Sequence, residues 1–205
     1  MADSFRDMVE TAMDEGVDID SVRFSADAIE DVSAFGITVS ASEFSNCSFI
    51  QCTFDRVNFA HVNFIHCDLQ NLSFNRCSFH NCTFTNCRLT GADMVDNTLR
   101  HTEFTDSMME YLNLSGSKLG DSSFSKCRLT HLFLNNASLK NTAFTSCDLT
   151  SAEIIGTRLN GIDFSTDTLT GILVSPDALR GAKVTSLQAL ELSRLLGIVI
   201  VDQQA

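Results

Sequence analysis

Thiols and imidazoles crowd together at "CSFHNCTFTNC", residues 77–87, where Cys77, Cys82 and Cys87 are spaced five apart and His80 lies between the first two. Such side chains hold zinc, form disulfides or act as nucleophiles, depending on which of them meet. The rest of the chain argues that they do not meet. All eight cysteines (47, 52, 67, 77, 82, 87, 127 and 147) stand two places before a large apolar residue. His61, His66, His101 and His131 stand two places after one, and His80 one place after. Those two placements point to opposite sides of the chain, so cysteine and histidine are not expected to share an ion. No metal site is expected, and the cysteines read as small buried packing groups. Catalytic residues are also not expected: the chain has no Gly-rich phosphate loop, nucleophile elbow or His-Glu metalloprotease motif. No cofactor is implied, and the protein reads as a non-enzyme.

The elements that position these groups follow from a register of five. From Phe44 to Val184 every fifth residue is large and apolar; Phe24, Ile29 and Val39 extend the series upstream, with Ala34 a small exception. A period of five fits neither an α-helix nor a flat strand. It fits a chain that turns a corner every five residues, with two inward side chains per unit, two apart on one pleat. A second register counts the units in a coil. Phenylalanine recurs every twenty residues, at 24, 44, 64, 84, 104, 124, 144 and 164, and Cys47, Cys67, Cys87, Cys127 and Cys147 keep the same interval, interrupted by Ser107. Like residues in one stacked column mean four units per coil, an all-β, four-sided solenoid. About eight coils at ~4.8 Å each make a rod of roughly 40 Å.

The repeat resembles that of the pentapeptide-repeat family: a small residue, Asp or Asn, Leu or Phe, Ser or Thr, then a variable residue. "CDLQN" (67–71), "ADMVD" (92–96) and "CDLTS" (147–151) carry that form. The resemblance runs from about Phe24 to Val184 and implies a right-handed quadrilateral β-helix. Its filled interior leaves no obvious substrate pocket.

Three segments are expected: an acidic capping helix in residues 1–20, the β-helix in 21–184, and a dimerisation helix and tail in 185–205. At the N-terminus Phe5, Met8, Val9, Ala12 and Met13 recur at helical spacing, Ser4 can cap the start, and Gly16 can end it. That helix is expected to lie over the open end of the coil, since a solenoid's terminal strands need cover. In "VTSLQALELSRLLGIVIVDQQA" (184–205), Thr185 or Ser186 can cap a helix through about Leu196, with Gly197 as its stop. Its leucines cover more of the helix than one coil end can bury. A symmetric dimer through Leu187, Leu190, Leu195, Leu196, Ile198 and Ile200 is the expected solution.

Gly181, Lys183, Gln188, Ala189, Leu192, Leu196, Gly197 and Ile198 resemble, in order and spacing, the C-terminal tail of Qnr-type pentapeptide proteins. That resemblance implies a homodimer joined at the tail. It also implies binding to DNA gyrase or topoisomerase IV as a mimic of DNA, and protection of those enzymes from quinolones. The unbroken spacing leaves no room for the loops that several Qnr proteins carry, so the chain is expected to be of the loopless type.

Charge bounds the partners. The net charge is −12, with ten acids against Arg6 and Arg23 in residues 1–31, and sixteen acids against twelve bases beyond them. Such a chain is not expected to bind nucleic acid directly. Duplex DNA carries one charge per ~1.7 Å, so net charge along the solenoid supports mimicry weakly. The local patch expected to face a topoisomerase is Asp93, Asp96, Glu103, Asp106 and Glu110, opposed by Arg100. No apolar run reaches the length of a membrane span. An acidic start without a basic, apolar leader, together with eight cysteines, points to the cytoplasm. The alternative function is a structural scaffold for a partner unrelated to DNA enzymes.

Overall fold

The structure is a computed structural model, and it describes residues 4–199 and 201. Its chain winds as a parallel β-solenoid in which each residue lies beside the one twenty positions on. Phe24 pairs with Phe44, Phe44 with Phe64, and so on to Phe144 in a seven-stranded sheet. A second seven-stranded sheet runs from Ile19–Asp20 to Ser138–Lys140. The other two walls, which start at Ile29 and Ala34, open as short ladders and continue largely as single bridges such as Asp68 to Arg88 and Asp93 to Asn113. Each wall is named below by its first central residue: Ile19, Phe24, Ile29 and Ala34.

The alternation of inward and outward side chains makes the core. Phe44, Phe64, Phe84, Phe104 and Phe124 are essentially fully buried. Their rings stack nearly parallel, 4.7 Å apart between Phe84 and Phe104 and 4.8 Å between Phe104 and Phe124. This spacing equals the distance between strands, so the backbone ladder sets the aromatic contact. Each stack adds about 0.5–1.5 kcal/mol beyond burial.

Corners are made by the residue two after each wall centre. It takes a left-handed backbone conformation at nearly every repeat, for example His61 (φ 56°), Asp96 (φ 56°), Asp106 (φ 50°) and Asn136 (φ 54°). Asn, Asp, His and Gly tolerate that conformation best, which explains why four of the five histidines sit there. Pro176 cannot adopt it. At that corner the chain forms a 3-10 turn, Pro176–Leu179, and the inward place passes from Asp177 to Ala178, which is buried. The inward place moves by one residue at this corner alone, and the twenty-residue register resumes with the bridge from Asp163 to Lys183. No longer interruption separates the coils among the described residues.

Both ends are covered. Helix α1, Phe5–Glu15, is capped reciprocally by Ser4 and Asp7 and stopped by Gly16 in a left-handed conformation. It buries Phe5, Val9 and Ala12, while Met13 faces outward. Phe5 meets Phe24 and Phe44 edge-on at 5.6 and 5.1 Å, so the helix plugs the first coil. At the other end α2, Ser186–Leu192, is followed by a 3-10 turn, Ser193–Leu196, and by Gly197 with φ 70°.

Candidate interaction surfaces

The chemistry-bearing side chains separate as their spacing predicts. All eight cysteines are buried free thiols. Burial pushes the Cys77 thiol up to about 12 and the Cys82 thiol up to about 11. Cys67 and Cys87 donate to the carbonyls of Phe44 and Phe64 at 3.2 and 3.3 Å. Ser107, next in that column, donates in the same way to Phe84. Thiol and hydroxyl thus do one job: they satisfy a carbonyl that faces the interior. His61, His80 and His101 form an exposed edge-to-face ladder, with rings 6.1 and 5.8 Å apart. Among the described residues no three His, Cys, Asp or Glu side chains converge as metal ligands.

The five candidate acids are spread over three walls. Asp93 is exposed on the Ala34 wall, and Asp96 occupies the corner that follows. Asp96 Oδ1 fills the space where a Cβ on Gly116 would lie, so the glycine of the next coil seats this carboxylate. Glu103 is exposed on the Phe24 wall, flanked by Thr83 and Ser123, and Asp106 takes the next corner. Glu110 lies on the Ile29 wall, half-buried, and Arg128 Nε reaches its Oε1 at 3.0 Å. Arg100 is therefore not the sole opposing base. Arg128, eighteen residues along the chain, is a neighbour one coil up. A search of positions near i+20 for bases would have found it. The acids form a belt around the rod, missing the Ile19 wall, and not a stripe along it.

The C-terminal end divides its apolar residues between two sides. Thr185 caps α2 in a reciprocal box with Gln188, whose own side chain is buried. Gln188 Nε2 donates to the carbonyls of Phe164 and Asp167, both at 2.7 Å. These carbonyls would otherwise bond to another coil, so Gln188 ends the solenoid by pairing them. Leu192 and Leu195 are half-buried against the chain's own core. Of the residues assigned to a dimer contact, Leu195 thus faces inward. Leu187 (77% exposed), Leu190, Leu196 and Ile198 face outward with Val199 and Val201. Ile200 lies outside the described residues.

One buried acid had no site assigned to it. Asp167 stands in the cysteine column and accepts from the Cys147 N–H at 2.7 Å, while its other oxygen, Oδ2, has no partner. Burial raises its pKa above the ordinary carboxylate range. Asn97 makes the equivalent bond to Cys77 N–H on the opposite side of the coil, also at 2.7 Å.

Comparison with known proteins follows the repeat. A pentapeptide repeat region model matches residues 57–122, and a model of eight pentapeptide repeats matches residues 109–145 and 134–165. No curated protein matches the chain significantly. Among solved structures, trypsin-treated QnrB1, a plasmid-mediated fluoroquinolone resistance protein, is 18% identical at a TM-score of 0.42, over 90% of this chain and all of the other. HetL, a pentapeptide repeat protein involved in heterocyst differentiation regulation from the cyanobacterium Nostoc sp., is 13% identical at a TM-score of 0.43, over 88% of this chain and 94% of its own. Rfr23 from the cyanobacterium Cyanothece is 14% identical at a TM-score of 0.30, over 86% of this chain and 96% of its own. With matched repeats running from 57 to 165, more than half its length, this chain belongs to the pentapeptide-repeat family.

Proposed function

We propose that the protein is a non-enzymatic, dimeric partner of a type II topoisomerase, DNA gyrase or topoisomerase IV, that modulates the enzyme and shields it from quinolones or related toxins. One observation carries this reading: the tail that resembles the Qnr type forms a capped helix pinned by Gln188. This leaves Leu187, Leu190, Leu196 and Ile198 outward at the tip of an acidic rod. Two such rods joined at their tips would present a continuous body of roughly 80 Å. The acids at 93, 96, 103 and 106 would face the enzyme surface that otherwise holds DNA. A gyrase supercoiling assay, with and without a fluoroquinolone, tests the reading. Inhibition of supercoiling or reduced drug-induced cleavage at micromolar protein is expected. Unchanged supercoiling and unchanged cleavage would remove it.

A second reading, a scaffold for a partner unrelated to DNA enzymes, draws on the charge pattern. Glu110 is neutralised by Arg128, and the remaining acids are divided between two walls and the corners after them, where a DNA mimic needs them aligned along the rod. Affinity capture from lysate separates the two: gyrase or topoisomerase IV subunits dominate the eluate only under the first.

A further inference from the structure

The one wall that the acid belt misses carries the opposite charge. On the C-terminal half of the Ile19 wall, Arg100, Lys118, Lys140, Arg158 and Arg180 are all exposed. The outward wall positions between them are Thr98, Gly120, Ser138 and Asn160, with no acid among them; in the last coil Ala178 turns inward and the exposed Asp177 precedes it. The ladder shows how five like charges coexist on one face. Lys118 lies beside Thr98 and Ser138, while Gly120 lies beside Arg100 and Lys140. The cations therefore alternate between two columns, and none faces another directly across a rung, where repulsion is strongest. Among the described residues none of the five forms an ion pair.

Two depressions lie along this zigzag. Gly120 has no side chain, and the shallow groove around it, about 280 Å³, is bordered by Arg100, Lys118 and Lys140, with Asp121 at its edge. Asp121 already accepts a hydrogen bond from Asn141 at 2.8 Å. The second depression lies between Arg158 and Arg180, with Asp177 at its border. Positive charge exceeds negative at both.

We propose that this half-wall is a docking surface for a short, extended, Asp- and Glu-rich segment of a partner protein. Charge complementarity and length argue for that occupant. The stripe spans four coil rises, ~19 Å, which is about six residues of extended polypeptide. A nucleic acid fits less well. The exposed positions of this half-wall bear no Phe, Tyr or Trp for bases to stack on. Its flat strands offer nothing to enter a duplex groove. A longer polyphosphate would overrun the stripe toward Asp18 and Asp20 at the other end of the wall, within the field of a chain of net charge −12. The proposal is independent of the topoisomerase reading, because the wall is the one that the candidate acids leave bare.

The test is fluorescence anisotropy of a labelled hexaglutamate peptide with the full-length protein at 50 and 300 mM salt. Binding at low salt that weakens at least tenfold at high salt is expected. The Lys118→Glu/Lys140→Glu variant should bind at least tenfold more weakly. Arg88→Glu/Lys126→Glu, with the same change in net charge on other surfaces, should stay within twofold of the parent. Should the first variant lose its circular dichroism spectrum, Arg158→Glu/Arg180→Glu makes the same comparison. No binding at 50 mM salt, or equal loss in variants on and off the wall, would overturn the proposal. Tighter binding of a 20-base-pair duplex than of the peptide would overturn it in favour of nucleic acid.

Discussion

At the residue scale, the repeat depends on a backbone conformation that few side chains accept. Lys126 holds a corner at φ 53° with no ion pair among the described residues, whereas Ser125, one residue earlier, is in the extended strand Ser123–Ser125. Valine fits a strand and resists the left-handed region. Lys126→Val should therefore destabilise by about 1 kcal/mol, the usual size for strain placed at a special backbone angle, while Ser125→Val should leave the melting temperature nearly unchanged. Equal effects at both positions would contradict the corner's role. Asp167 supplies a second test. Burial disfavours its charged form, so its folded pKa lies above its unfolded one. Its contribution to stability is then best below the unfolded pKa and is lost as pH rises through the folded pKa. Asp167→Asn keeps the bond to Cys147 N–H, as Asn97 keeps its own to Cys77, and removes the charge. Thermal melts should show the variant more stable at pH 7 by about 1 kcal/mol, with the gain fading toward pH 3. A loss at pH 7, or a gain independent of pH, would show that the carboxylate is compensated.

At the element scale, stability is local because each coil touches only its neighbours. Phe5→Ala removes the ring that plugs Phe24 and Phe44, a loss on the order of 3–5 kcal/mol for a buried phenylalanine. Since α1 packs against the first coil, the cost should fall there. Hydrogen exchange should speed up in residues 19–35 and stay slow in residues 78–125. Uniform acceleration would mean that the rod unfolds as one unit. The walls were legible in the sequence because burial imposes the five-residue period, and so were the caps, because Ser4, Gly16 and Thr185 act through local hydrogen bonds. The corners were not. Hydrophobic spacing does not say how each inward N–H is satisfied. At Ala92, Leu112 and Leu132 a turn bond from three residues back satisfies it, and the inward side chain there is apolar. At Cys77, Cys87 and Thr102 a polar side chain from the next coil does so. The candidate acids were legible as residues, but their walls and the Arg128 contact depend on which coil lies beside which.

At the scale of the whole molecule, both ends are capped, but the two caps expose different chemistry. The N-terminal plug turns Asp7, Glu10, Asp14 and Glu15 toward solvent, and like charge of this kind opposes contact between two copies at that end. The C-terminal tip instead exposes Leu187, Leu190, Leu196, Ile198, Val199 and Val201 on a short helix and tail. So many large apolar side chains exposed on one short segment are costly to leave in water, and a two-fold contact lets them cover one another. Multi-angle light scattering at micromolar concentration should thus give about twice the chain mass of 22.5 kDa. X-ray scattering should give a maximum dimension near 80 Å, twice the ~40 Å solenoid. Leu187→Glu/Leu196→Glu places like charges across the contact without touching Leu192 or Leu195, which hold the helix to its own coil. It should yield a folded monomer with unchanged circular dichroism and half the scattering mass. A parent protein already monomeric under these conditions would rule out the tail-to-tail dimer, and with it the continuous rod on which the topoisomerase reading rests.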